Sequence, residues 1–129
     1  MKIIKDILCH KNCSEQLHDL GLRGKSLFKF DEVGFIRNDV FKTMKNPTNT
    51  YTTDELMDML PKIIKDDDGN KYYFRMDFEP PMDNLGYYNR FKGGYCYYET
   101  CEKLPNALAR LLIWCIENNH IKVEDLNNK

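Results

Sequence analysis

The sequence predicts an α+β domain, and three observations carry that expectation. Between Ala107 and Ile116 only Arg110 is polar, so a helix there is apolar nearly all round and must be covered on most sides. Tyr72, Phe74, Met76 and Phe78 alternate with Tyr73, Arg75 and Asp77, the period of a half-buried strand. From Ile63 to Glu99 the strand-like runs are joined only by turn-length segments, which suits antiparallel neighbours, because parallel ones need crossovers of about a dozen residues or more. The expectation is one domain over 1–129, with an antiparallel sheet of about four to six strands. A buried C-terminal helix at about 105–119 packs on one face, and two short helices lie at about 13–20 and 53–60.

In chain order, Ile3, Ile4, Ile7 and Leu8 form an apolar lead-in that reads as an edge strand. Asn12 or Ser14 then caps a helix to about Leu20; Asn12 and Glu15 have capping-box spacing, and Gly21 is its stop. Ser26–Phe30 and Phe35–Arg37 read as a first hairpin about the turn 31–34. From Asn38 to Tyr51 no element is assigned, and residues 46–50 have the composition of an exposed loop. Thr52 and Glu55 form a second capping box, opening a helix whose Leu56, Met59 and Leu60 share a face, and Pro61 ends it. Lys62–Lys65 is a short strand, residues 66–70 are a turn, and the alternating strand follows until residues 79–84 break it. Tyr87–Phe91 and Tyr95–Glu99, separated by Lys92-Gly93-Gly94, read as a second hairpin. The long helix comes next, with Pro105 suited to its first turn and Asn118 or Asn119 to a left-handed stop. Residues 120–123 return as a short extended piece before a polar tail.

Composition narrows the function classes. With 42% hydrophobic and 30% charged residues the chain is an ordinary globular one, and a domain of this length buries about two thirds of its unfolded surface. Nineteen basic side chains nearly balance twenty acidic ones, for a net charge of -1. That balance supplies no global field for nucleic acid or anionic membranes. The apolar run in the long helix is far shorter than the roughly 20 residues of a bilayer span. Five cysteines and a charged N-terminal stretch lead to the expectation of a cytoplasmic protein with free thiols.

Chemistry-bearing clusters are sparse. Asp66-Asp67-Asp68-Gly69-Asn70 lacks the ligand alternation and closing glutamate of a calcium loop and reads as a hairpin turn. Cys9, His10, Cys13 and His18 are zinc-type ligands, yet no second pair follows at knuckle distance, and Cys96 and Cys101 could join only through the fold. No metal or other cofactor is expected. Gly21-Leu22-Arg23-Gly24-Lys25-Ser26 is not a phosphate-binding P-loop, although Arg23 and Lys25 beside two glycines could hold an anion. His10, His18 and His120 lie in no nucleophile–base motif, so no catalytic residue is assigned. The surplus is in tyrosine: seven of eight lie in the inferred strands. Alternation cannot bury both members of Tyr72–Tyr73, Tyr87–Tyr88 and Tyr97–Tyr98, so some line an outer face. With Arg75 and Arg90, Tyr73 and Tyr88 then form a surface fit for a protein partner or for stacking a nucleotide. Trp114, on the long helix, is a further interface candidate.

Three segments, Leu17-His18-Asp19-Leu20-Gly21-Leu22, Thr52 to Pro61 and Ala107 to Asn118, together resemble a family of small uncharacterised proteins from Bacteroides-type gut bacteria and their phages. The resemblance runs in order from about Cys9 to Leu126. It implies a phage or mobile-element origin and brings no activity to transfer. The functional expectation is therefore a non-enzymatic protein–protein interaction module, with another protein or a second copy as partner. The alternative is a binder of a nucleotide or small anionic signal, with Arg23, Lys25, Arg75 or Arg90 holding phosphate.

Overall fold

The computed structural model describes residues 9, 11–23, 28–30, 36–38, 48–79 and 82–128, so the expected lead-in strand at 3–8 and the turn at 31–34 lie outside the described residues. Helix α1 (Lys11–Asp19) begins one residue before Asn12, which corrects the expected cap. Cys13, Ser14 and Leu17 form its buried face. At its end the Leu22 N–H donates to Leu17 O and the Gly21 N–H to His18 O, both at 3.0 Å. Gly21 supplies the φ of 102° that this paired stop requires.

Strands β1 (Phe28–Phe30) and β2 (Ile36–Asn38) form the expected antiparallel pair, and β3 (Thr48–Thr50) adds to the other side of β1. That third strand corrects the loop read at 46–50. Its Thr-Asn-Thr sequence has no apolar alternation, and long-range backbone pairing decides its conformation. Helix α2 (Thr53–Met59) carries the predicted box: the Glu55 N–H donates to Thr52 Oγ1 at 3.2 Å and the Thr52 N–H to Glu55 Oε1 at 2.9 Å.

The second sheet is a meander of β4 (Ile63–Lys65), β5 (Lys71–Glu79), β6 (Met82–Asn89) and β7 (Gly94–Thr100), with neighbours in that order and all antiparallel. Here β6 starts at Met82, five residues before the expected Tyr87. Asp83, Asn84 and Gly86 are poor strand formers held extended by ladders on both sides.

Helix α3 (Leu104–Glu117) lies across one face of this sheet, against β6 and β7, while α1 and α2 pack on it from elsewhere. Ala107, Leu108, Ala109, Leu111, Leu112 and Cys115 are fully buried. Its all-round apolarity is thus used on several sides. Asn119 takes the left-handed stop at φ 62°. Residues 120–122 form no strand, and from Val123 the chain makes a short helix α4 (Val123–Asn127) in place of the expected polar tail, with Leu126 buried. From α4 the Asn127 side chain grips the end of α1, with Nδ2 donating to Gly21 O at 3.0 Å and Oδ1 accepting from the Arg23 N–H at 2.6 Å.

Candidate functional site

The pleat sorts the strand residues onto two faces. Ile64, Tyr72, Leu85 and Tyr87 turn inward and are buried. On that side Trp114 stacks on Tyr97 with centroids 4.4 Å apart and planes 7° apart, and the His120 ring lies 4.9 Å from it. Tyr97 donates to Glu99 Oε1 at 2.8 Å, and Glu99 pairs with Arg110 at 3.5 Å. Burial and the Glu99 bond push the Tyr97 phenol up to about 12. Trp114, half-buried, therefore packs within its own chain.

Burial holds the His120 imidazole below its ordinary 6.5, with Asp67 partly opposing. A base depressed by folding leaves the folded state binding fewer protons than the unfolded one, so the stability tied to it is complete above 6.5 and declines as pH falls below. Urea titrations at descending pH should show a steeper loss on the acid side of 6.5 in the wild type than in His120→Phe. Equal slopes would show that His120 contributes nothing.

The opposite face is the candidate site. Tyr73 and Tyr88 are cross-strand partners on β5 and β6, and Arg75 pairs with Gly86 one step along the same face. The Arg75 guanidinium sits 4.4 Å from the Tyr88 ring centroid, a cation–π contact, and its Nε donates to Asp77 Oδ1 at 3.0 Å. Tyr95 on β7 also donates to Asp77, at Oδ2. To reach from the level of Tyr88 to that of Asp77, the Tyr95 ring crosses β6 at Gly86, where no side chain stands. The Tyr88 and Tyr98 centroids lie 5.1 Å and 5.6 Å from that of Tyr95. The result is a closed circuit, Arg75 to Asp77 to Tyr95 to Tyr88 and back to Arg75.

The circuit has matched electrostatics. Tyr95 is raised above the ordinary phenol value by burial and by its bond to Asp77, so it stays a donor. Asp77 is held below the ordinary carboxyl value by the Tyr95 bond and then by Arg75, and Arg75 is raised mainly by its bond to Asp77. Around the circuit, Tyr73 and Tyr98 are each 49% exposed, and Ile63, the cross-strand partner of Tyr73, is 47% exposed. Asn84, also on this face, has a buried Oδ1 without a hydrogen-bond partner among the described residues. The arrangement offers rigid aromatic surface and hydrogen-bonding groups, and it brings no nucleophile beside a base.

Of the residues expected to act together, Tyr73, Arg75 and Tyr88 do converge. Arg90 does not join them: it lies in the turn after β6, its guanidinium 5.2 Å from the Phe91 ring. Arg23 is at the end of α1, donating to the carbonyls of His18 and Leu22, and Lys25 lies outside the described residues. Arg23, Arg75 and Arg90 thus do not share one place. Of the zinc-type ligands, His10 lies outside the described residues; Cys9 is buried with Sγ 3.1 Å from Ser14 Oγ, and among the described residues no three His, Cys, Asp or Glu side chains gather as a metal site.

Sequence alternation missed Tyr95 as a member of the outer face. It puts Tyr95 with Tyr97, but a bulge at Cys96 pairs Tyr87 with Tyr97 and Tyr88 with Tyr95, moving Tyr95 to the side of Tyr98. The glycine within β6 was the available signal, since a strand glycine marks a bulge or a close approach. Comparison of the chain with protein-family models, with curated proteins and with solved structures found no match in any of the three.

Proposed function

We propose that this protein is a non-enzymatic interaction module that binds a protein partner through the outer face of its four-stranded sheet. The observation that carries the reading is the pair of half-exposed tyrosines, Tyr73 and Tyr98, flanking a circuit that is already locked by Arg75, Asp77, Tyr88 and Tyr95. Aromatic rings fixed before contact bury large area on binding while losing little side-chain entropy, which is why tyrosine and arginine are favoured anchors. The closed circuit also leaves Arg75 little free charge, which suits a protein surface better than a phosphate. A cytoplasmic setting and a phage or mobile-element origin, the latter implied by the family resemblance, belong to the same proposal.

The test compares wild type with Tyr73→Ala, and with Arg75→Ala, as baits in affinity capture from the host cell. Truncating a central anchor is expected to weaken binding by about 2 kcal/mol, some thirtyfold. A partner retained by the wild type and lost from both variants, while circular dichroism shows them folded, supports the reading. Identical capture by all three refutes it.

A further inference from the structure

The two edges of the four-stranded sheet are built differently. At one edge β4 is only three residues long, follows Pro61 and Lys62, and ends with Lys65 opposite Lys71. Short length, proline and lysine are the features by which proteins discourage edge-to-edge pairing. At the other edge β7 spans seven residues with no proline, lysine or arginine. Its one charge, Glu99, is bound by Arg110 and Tyr97.

The backbone of β7 is directed accordingly. The Cys101 N–H donates to Asp83 O at 2.7 Å, so by strand alternation Tyr97 and Glu99 also turn toward β6, whereas Tyr98 and Thr100 turn their amides and carbonyls outward. Arg110 Nη2 meets the outward Thr100 carbonyl at 3.2 Å. The remaining outward groups, those of Tyr98 and the Thr100 N–H, face no strand among the described residues. Beside them a cleft of about 620 Å³ opens between Tyr98, Thr100, Lys103, Asn106 and Arg110, leaving room for the side chains of an added strand.

We infer that β7 pairs antiparallel with β7 of a second copy, joining two four-stranded sheets into one of eight. The strand is its own complement. With the two-fold axis at Tyr98, the two Tyr98 residues exchange N–H and C=O bonds, Thr100 lies opposite Cys96, and Glu99 lies opposite Tyr97, a phenol of the kind that already donates to it within the chain. No like charges meet, and the bulge at Cys96 ends the ladder on both sides of the axis, since Cys96 of each copy lies opposite Thr100 of the other. The pairing sets two outer tyrosine faces side by side and covers neither, so it stands whether or not those faces bind a partner.

Light scattering and sedimentation of the full chain over a wide concentration range test this. The wild type is expected to reach twice 15.3 kDa. Tyr98→Pro, which removes an outward N–H while keeping the bonds to β6, should stay monomeric, and Tyr98→Ala, which keeps the N–H, should still dimerise. Amide exchange on the wild type provides a readout that needs no variant: Tyr98 and Thr100 amides should slow as concentration rises. A wild type that is monomeric throughout, a folded Tyr98→Pro that still dimerises, or exchange at those amides independent of concentration overturns the inference. So does a dimer lost on Tyr73→Ala, which would place association on the face instead.

Discussion

Gly86→Ala is expected to destabilise the protein by about 3 kcal/mol, lowering Tm by roughly 10 °C. A Cβ built at Gly86 would lie 2.7 Å from Tyr98 Cα and 2.8 Å from Tyr98 Cβ, and it would also press on the Tyr97 carbonyl oxygen. These are mostly backbone atoms of the bulged neighbour strand and cannot swing aside. Replacing a strand glycine by alanine ordinarily gains up to about 1 kcal/mol by restricting the unfolded chain; overpacking against a fixed backbone outweighs that gain. The same substitution would crowd the path of Tyr95 across β6. Gly94→Ala is the control, for among the described residues nothing lies within 4 Å of its added methyl, and its change should stay within about 0.5 kcal/mol. Thermal unfolding followed by circular dichroism compares them, and equal Tm values for the two variants would refute the steric account.

Trp114→Ala should cost about 3 kcal/mol. The indole is stacked on Tyr97, lies 6.2 Å from Tyr87, and supports the His120 ring. Each such aromatic pair adds about 0.5–1.5 kcal/mol beyond burial, and partial exposure keeps the total below the upper range for a buried tryptophan. Trp114→Phe, which keeps a stacking ring, should recover about half of the loss. Urea denaturation read by far-ultraviolet circular dichroism is the measurement, since Trp114 is the single tryptophan and its removal takes the fluorescence signal with it. A loss under about 0.5 kcal/mol, the level of an ordinary surface change, would show that the stack is incidental and return Trp114 to the exposed interface role considered from sequence.

Local chemistry explains which parts of this fold could be read before its shape was known. Helix α3 was legible because ten nearly uninterrupted apolar residues permit little else, and α2 because Thr52 and Glu55 close a box within four residues. The same holds for Tyr73, Arg75 and Tyr88, whose placement follows from a period of two. What was illegible depends on partners far along the chain. Strand β3 is polar and exists through its ladder to β1; Asp83, Asn84 and Gly86 are weak strand formers held from both sides; α4 is secured by one buried leucine and by Asn127. For the site, the bulge at Cys96 changed the phase of Tyr95, and so hid the circuit that Asp77 completes. Arg23 and Arg90 share their charge with Arg75 but not its location, because side-chain type carries no information about distance.

The clasp between Asn127 and the end of α1 joins residues 104 and 106 positions apart in sequence. Closing so long a loop is entropically more demanding than forming the local turns of the meander, though only logarithmically so, and contacts of such separation slow folding. The hairpins about residues 66–70 and 90–93 can form without it; the clasp requires that α1 and α4 already be brought together. It therefore belongs to the closing steps of folding and, by the same reasoning, to the opening ones of unfolding. The first and last described helices share one fate in time, even though they stand at opposite ends of the described chain.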